Sequence, residues 1–471
     1  MRKSPICSTS ILAVLLLGGC AGLPKQGAAP AMRPASAFAS AASLAAPETS
    51  WPSDLWWEGF GDPQLTALIE EGLSAATDLR VAQARFERAE ALVRQARSRL
   101  LPSIQVNGEI GGTKQSYNYL IPRGLAPGGW QDYGQATARL DWELDFWGRN
   151  RAALAAARSD AAAAQAEAAA TRLILSAGIA QAYADLADLF AQADAAQRAV
   201  EVRRRTVELM EGRRAQGLEN AGAVERARSA LAASQGELAA LNETVSLTRN
   251  RIAVLLGAGP DRGLSIERPT ARAAEDFGLP ANLPADLIGR RPDVIAARLR
   301  AQAAASRIKQ ARTAFYPNVN LAGLIGFQSI GIGDLVKSGS SFGTAGPAVS
   351  LPIFDGGRLT GAYRAAEADY RGAVAEYDGA LAQALREVAD VAASERALAE
   401  RIGRADEAER AAAAAWTVAN NRYQGGLATS LDVLVAEDAL IDARRNLATL
   451  RNRKFVLNVG LIRALGGGFR S

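Results

Sequence analysis

The 471-residue chain contains no histidine. That removes the commonest general base, the commonest zinc ligand, and any Ser-His-Asp or Cys-His catalysis. Its two cysteines, Cys7 and Cys20, both lie in the first twenty residues. The body therefore has no disulfide framework, CxxC redox site or thiolate cluster. Lysine is scarce beside arginine, and aromatics make up only 6 %. Eighteen prolines and 44 glycines are too few for a collagenous or wholly disordered chain. Beyond residue 20 no run reaches 18 consecutive apolar residues, so no membrane-spanning helix is expected. If the body crosses a membrane, it must do so as strands of a closed barrel. Length alone suggests about three domains at roughly 150 residues each. The composition leans away from an enzyme.

The N-terminus speaks for a compartment. Arg2 and Lys3 precede a short apolar run, Ile11 to Leu17, and then Leu17-Gly18-Gly19-Cys20. The apolar core is too short to span a bilayer and reads as a secretory signal peptide, residues 1–19. Its ending resembles a bacterial lipobox, in which the cysteine becomes the lipid-modified first residue. The alternative is an ordinary signal peptide with a chance cysteine. The lipobox reading implies diacylglycerol and an N-acyl chain on Cys20, and no other cofactor. Ala21 in place of an aspartate implies sorting to the outer membrane. Cleavage would remove Arg2 and Lys3 and lower the formal charge from +5 to +3, nearly neutral for the size, so a basic-patch reading for nucleic acid loses its support. Residues 20–50, rich in Ala, Pro and Ser, read as a lipidated, extended tether.

Self-similarity organises the rest. Gln95 to Ile104 matches Gln310 to Val319 at a shift of 215, including Pro102 against Pro317. From Gly148 against Gly357 the shift is 209, and it holds without a gap to Gly257 and Gly466. Arg213, Gly217, Leu218 and Val224 thus recur as Arg422, Gly426, Leu427 and Val433. Two tandem copies, residues 51–260 and 285–471, are expected around a linker at 261–284.

Each copy has the same order of elements. A helix (62–100, then 285–315) ends at a proline. Two period-two segments follow. Ile104, Val106 and Ile110 alternate with Gln105, Asn107 and Glu109; Val319, Leu321 and Ile325 are set against Asn318 and Asn320. Return strands are expected at 134–146 and 343–354. The polar alternates should face a lumen and the apolar ones lipid. Trp130, Tyr133, Trp142, Phe315, Tyr316 and Phe327 are candidates for interfacial belts. From Gly148 to about Gln216 nothing breaks a helix about 100 Å long at 1.5 Å per residue. After a glycine turn, three-four spacings restart at Val224, as they do in the second copy at Val433. Gly217 and Gly426 are expected to supply left-handed turns. A soluble helical rod explains the helices, but not two ten-residue amphipathic hairpins at equivalent places. Four strands cannot close a membrane barrel by themselves, so homo-oligomerisation is implied; three chains would give twelve strands.

Five ordered motifs carry a resemblance over about residues 50–468. They are Asp54-Leu55-Trp56-Trp57-Glu58-Gly59-Phe60-Gly61-Asp62-Pro63-Gln64-Leu65, Ile288-Gly289-Arg290-Arg291-Pro292-Asp293-Val294, Leu351-Pro352-Ile353-Phe354-Asp355-Gly356-Gly357, Arg422-Tyr423-Gln424-Gly425-Gly426-Leu427 and Ala464-Leu465-Gly466-Gly467-Gly468. Together they resemble the outer-membrane efflux channel family, the TolC/OprM-like proteins, in its lipoprotein subgroup serving RND-type tripartite systems. The resemblance implies a mainly α fold with membrane β: a homotrimer whose α-helical barrel continues into a 12-stranded β-barrel in the outer membrane. It implies passive export of drugs or other toxic small molecules, received from an inner-membrane pump through a periplasmic adaptor.

The resemblance also assigns sites. Leu431, Asp432 and Val435 fall at the periplasmic constriction, and Tyr423 matches a tyrosine of the gate latch. A latch arginine of some members corresponds here to Ala428. Asp432 can be read as one third of a carboxylate ring or as a helix-start carboxylate favoured by the dipole. Arg213, Gly217, Leu218, Arg422, Gly426 and Leu427 fall where the adaptor's hairpins would meet the channel. The competing reading is a non-pore periplasmic coiled-coil lipoprotein, an adaptor or structural protein. Against it, the chain lacks the β-rich lipoyl-like half that adaptors usually carry.

Overall fold

The computed structural model describes residues 30–116, 118, 124, 125, 127–271 and 278–470. Cys20 and the signal peptide lie outside them. The first copy runs through helices α1 (Pro63–Ala75) and α2 (Thr77–Ser98), strands β1 (Ser103–Thr113) and β2 (Gln131–Glu143), and helices α3 (Arg149–Ala215) and α4 (Ala221–Leu255). The second repeats the order as α5 (Leu283–Arg290), α6 (Pro292–Thr313), β3 (Asn318–Ile330), β4 (Ser341–Ser350), α7 (Arg358–Gln424) and α8 (Ser430–Ala464). Both long helices have 67 residues, and both that follow have 35.

The internal repeat extends to backbone contacts. The expected helix over 62–100 is broken at Ala76 (ψ 135°), and that over 285–315 at Arg291 (ψ 115°), the position one repeat later. Pro292 accounts for the second break, since it disfavours helical geometry in the residue before it. Ala76 precedes no proline. Its bend is met by Gly257 (φ 73°), where an added Cβ would lie 2.9 Å from the Ala75 carbonyl oxygen. Gly466 (φ 93°) meets the second bend in the same way, and an added Cβ there would collide with the Arg290 carbonyl oxygen. The helix ends and the bends are therefore shaped against each other.

The chain divides into two compact units, and neither is one sequence copy. One takes Phe86–Ala164 with Ala297–Tyr377; the other takes Arg33–Arg85, Gln165–Ala296 and Asp378–Ser471.

The first unit carries an antiparallel sheet in the order β1-β2-β3-β4. Its register settles which residues share a face. Gln105 pairs with Arg139, Asn107 with Thr137, Glu109 with Gln135, and Glu143 with Asn320. These pairs, with Asn318 opposite Ser350, lie on one face. Ile104 opposite Leu140, Val106 opposite Ala138, Trp142 opposite Leu321, and Val319 opposite Val349 lie on the other. The expected division of polar and apolar alternates holds. On the apolar face Ile104, Val106 and Ile110 are each at least 70 % exposed. The return strands start earlier than expected, at Gln131 and Ser341, and β3 runs on to Ile330. Tyr133 is a correction: its register puts it on the polar face, where its hydroxyl donates to Gln135 Oε1 at 2.7 Å. Phe315 and Tyr316 lie outside the strands. Tyr316 stacks on Trp147 at 5.0 Å, and Phe315 meets Tyr363 edge-on.

The core of the second unit gathers Trp56, Trp57, Phe60, Leu65, Leu68, Ile69, Ile179, Tyr183, Leu186, Ile252 and Phe455. The opening motif has a local cause here. Asp62, 3 % exposed, caps α1 through the N–H groups of Gln64 and Leu65. It also accepts from Tyr183 Oη at 2.8 Å and from Thr270 N at 2.8 Å. Burial works to raise its pKa, but these bonds hold it below the usual carboxylate range. The mid-chain motif works similarly. Arg291 forks onto Asp293, reaches Glu387 at 2.7 Å, and donates to the Ala464 carbonyl at 3.2 Å. Helix α3 contains a window apolar enough to cross a membrane, but half of it is buried within the protein.

The tether expectation needs correction over its described part. Phe38, Leu44, Ala46 and Trp51 pack on a second cluster formed by Leu279, Leu283, Leu287, Leu385, Val388, Ala392 and Leu465. Leu279 N donates to the Pro47 carbonyl at 2.8 Å and Thr49 N to the Leu279 carbonyl at 3.0 Å, an isolated bridge at Glu48. The reason is volume. At a shift of 209, Ala392 of this cluster stands where the first copy's core has Tyr183, and Phe38 and Trp51 pack against the cluster.

Gly257→Ala and Gly466→Ala should each destabilise the protein by about 1–3 kcal/mol, through left-handed strain and backbone collision. Thermal unfolding of the two variants tests this, and the repeat predicts losses of similar size.

Candidate gate at the helical hairpin tips

Both hairpins of the second unit turn in the same way. Helix α3 closes with Gly217 N donating to Arg214 O at 2.9 Å and Leu218 N to Arg213 O at 2.8 Å. Helix α7 closes with Gly426 N donating to Tyr423 O at 3.0 Å and Leu427 N to Arg422 O at 2.8 Å. Gly217 and Gly426 both have φ 73°, the left-handed closure expected of them. Asn220 caps α4 by accepting from Ala223 N at 2.9 Å. Thr429 caps α8 in a reciprocal box: Asp432 N donates to Thr429 Oγ1 at 3.3 Å, while Thr429 N and Oγ1 each donate to Asp432 Oδ2 at 2.7 Å.

Asp432 is thus the helix-start carboxylate of the second reading. The two bonds from Thr429 hold it below the usual carboxylate range, so it is ionised at neutral pH. It remains exposed, and shares one face of the first two turns of α8 with Leu431 (55 % exposed) and Val435 (61 %). The opposite face of the same turns is buried at Ser430, Val433 and Glu437. The three expected aperture residues therefore stand together on one exposed face of α8.

Tyr423 is buried at 2 % exposure, in a cluster with Val207, Met210, Val224 and Val433. Its hydroxyl donates to Glu219 Oε2 at 2.9 Å, and the Arg213 guanidinium lies 4.6 Å over its ring. Burial, joined by the bond to Glu219, pushes the phenol up to about 12 despite the opposing Arg213 charge. Arg213 also donates to the Gln424 carbonyl at 3.3 Å. The two tips are tied together within one chain by Tyr423, Glu219 and Arg213. Leu218 (60 %) and Leu427 (72 %) project into solvent from the turns, and Arg422 is exposed beside Leu427, donating to its carbonyl at 3.4 Å.

The structure adds residues that the repeat and motifs did not pick out. Glu219 corresponds to Ala428 in the second copy, so its role has no repeated signature. Glu437 and Arg203, discussed below, likewise lack a counterpart at the shift of 209. Among the described residues no group of three or more His, Cys, Asp or Glu side chains could hold a metal ion.

Comparison with known proteins follows from this geometry. The family described as "Outer membrane efflux protein" matches residues 68–258 and 283–467, one match per copy. The chain is 31 % identical over 467 residues to the multidrug resistance outer membrane protein MdtP of Escherichia coli, covering 97 % of this chain and 95 % of that one. It is 34 % identical over 372 residues to the fusaric acid resistance protein FusA of Burkholderia cepacia, covering 76 % and 69 %. Among solved structures, the outer membrane protein VceC of Vibrio cholerae superposes with a TM-score of 0.85 at 44 % identity, over 89 % of this chain and all of that one. With two family matches lying on a tandem repeat and full-length likeness to such channels, the chain belongs to the outer membrane efflux protein family and is an outer-membrane channel of a tripartite efflux system.

Proposed function

We propose that the channel is a homotrimer, lipid-anchored in the outer membrane through Cys20. In this reading β1–β4 of three copies close one 12-stranded barrel, and the first two turns of α8 form the channel's periplasmic constriction. The observation that carries the reading is the sheet: four strands with one polar face, one exposed apolar face, and two unpaired edges at β1 and β4. In hydrocarbon such edges are tolerated only when closure removes them. Gln105, Asn107, Glu109, Asn318 and Asn320 would line the lumen, and Ile104, Val106, Val319 and Leu321 would face lipid.

The gate reading rests on the exposed face shared by Leu431, Asp432 and Val435. Three copies would set an apolar ring beside a ring of ionised carboxylates, the one resisting water entry and the other favouring cations. Tyr423, tied to Glu219, would hold the tip in the narrow state. The turns at Arg213–Leu218 and Arg422–Leu427 would meet the hairpins of a periplasmic adaptor, which couples the channel to an inner-membrane pump of the RND type. The names of MdtP and FusA support small organic toxicants as cargo. Transport through the channel is passive and requires no chemistry from the chain.

In planar bilayers, Leu431→Ala should raise the conductance of the resting trimer several-fold, and Asp432→Asn should lower its cation preference at least about twofold. A reversal potential unchanged by Asp432→Asn would remove the carboxylate ring from the selectivity mechanism. Gly426→Glu places a side chain at φ 73° and a charge on the tip. It should abolish drug export in cells while trimers still form; normal export from that variant would rule out the adaptor contact.

A further inference from the structure

The first two turns of α8 carry the proposed constriction on one face and an unusual buried group on the other. Glu437 is 1 % exposed. Its Oε2 accepts from Thr206 Oγ1 of α3 at 2.9 Å. Its Oε1 has no hydrogen bond and faces Arg203 Nε, likewise without one, at 3.6 Å. The same guanidinium donates through Nη1 to the Ala230 carbonyl of α4 at 2.8 Å and through Nη2 to Asp438 of α8. One side chain on α3 thereby joins α4 and α8.

This clamp occurs once. At the repeat shift, Arg203 corresponds to Ala412 and Glu437 to Arg228, which is exposed and pairs with Glu211 and Glu225. The asymmetry matters because only the second copy's hairpin presents Leu431, Asp432 and Val435.

A carboxylate this deeply buried is tolerated as an ion only beside a counter-charge. The charged groups facing it are Arg203 from α3 and Asp438 on its own helix. Helix α4 offers the neutral Ala230 carbonyl, and α7 the neutral Trp416. Burial pushes the Glu437 carboxyl up, with the Thr206 bond and the Arg203 charge opposing and Asp438 adding to the rise.

We infer that Arg203 is a positioning residue of the gate: by neutralising Glu437 and bonding Ala230 and Asp438, it holds the Leu431–Val435 turns of α8 against α3 and α4. The inference rests on the reading that those turns form the constriction. A tilt of α8 away from α3 would draw Glu437 from Arg203 and Thr206. Without Arg203, the narrow state would strand an ionised carboxylate in the interior, and the turns would move to hydrate it.

The test uses the full-length trimer in planar bilayers. Arg203→Gln should raise the resting current about tenfold, because removing one partner of a buried pair leaves the other charge uncompensated. Adding Glu437→Gln should return the current toward the wild-type level, since the amide keeps a bond to Thr206 and strands no charge. The pH dependence has a defined sign. In Arg203→Gln the Glu437 carboxyl, lacking its guanidinium, has its pKa raised further in the narrow state. Protonation therefore favours that state: the leak falls as pH is lowered through the raised pKa and grows as pH rises through it. The double variant should show no such dependence. A wild-type current in Arg203→Gln, or a double variant as leaky as the single one, overturns the inference. If Arg203→Gln fails to form trimers, Arg203→Lys serves instead. A compact ammonium keeps the charge but lacks the fork whose three nitrogens face Glu437, Ala230 and Asp438, so a smaller leak is expected, again suppressed by Glu437→Gln; a leak that Glu437→Gln leaves unchanged overturns the inference. Leu431→Ala separates the two readings. A leak there beside a wild-type-like Arg203→Gln sinks the role of Arg203 alone, and no change in either variant sinks the gate reading as well.

Discussion

A four-stranded antiparallel sheet with apolar side chains on one face and polar ones on the other leaves two problems unsolved within one chain. The outer strands β1 and β4 expose a row of backbone donors and acceptors each. On the apolar face Ile104, Val106 and Ile110 stay exposed, with nothing among the described residues covering them. Water can satisfy the edges but not the apolar face; hydrocarbon can satisfy the face but not open edges. Closure of the sheet with sister copies in a bilayer resolves both at once. The rest of the account depends on this constraint, because without a closed ring there is no passage for the hairpin tips to gate.

The helical part obeys a different rule. Four long helices are shaped by small residues and by helix ends that fit against bends in neighbouring segments, as Gly257 does at Ala75 and Gly466 at Arg290. Between helices, Arg251 to Asp185, Arg445 to Glu237 and Arg444 to Glu409 form ion pairs. Most are solvent-accessible and contribute about 0–1 kcal/mol each. The tips differ in kind. There the buried Tyr423 and Glu437 meet the half-buried Glu219, Arg213 and Arg203, and each partner matters more than at the open surface.

Much of this was legible in the sequence because it repeats. The shift of 209 located both hairpin turns and matched the 67- and 35-residue helices, and period two set the faces of β1 and β3. What stayed hidden was tertiary. Nothing in Ala76 marks a break; the bend there is met by Gly257, far along the chain. Pro292 did mark the equivalent break at Arg291, a signal that a continuous-helix reading over 285–315 overlooks. Residues 33–50 lack periodicity and read as tether, yet Phe38, Leu44 and Ala46 pack on a core where Ala392 stands in place of Tyr183. Tyr133 has the composition of a belt residue, but its register assigns it to the polar face. Asp432 was open to two readings, and the capping box with Thr429 realises one without removing the carboxylate from the exposed face. Glu219, Arg203 and Glu437 were invisible to the repeat because each stands opposite an unlike residue in the other copy.

Closure of the sheet between copies can be probed covalently, because the chain has no cysteine beyond Cys20. Single cysteines in β1, at Gln105 or Asn107, would be combined with single cysteines across Ala345 to Ser350 in β4, and oxidised in outer-membrane preparations. The account predicts that at least one combination yields covalent dimers and trimers, the trimer running as a closed species, while neither cysteine alone does so. Exclusively monomeric products across every combination, with both cysteines still reactive toward a small thiol reagent, would contradict it.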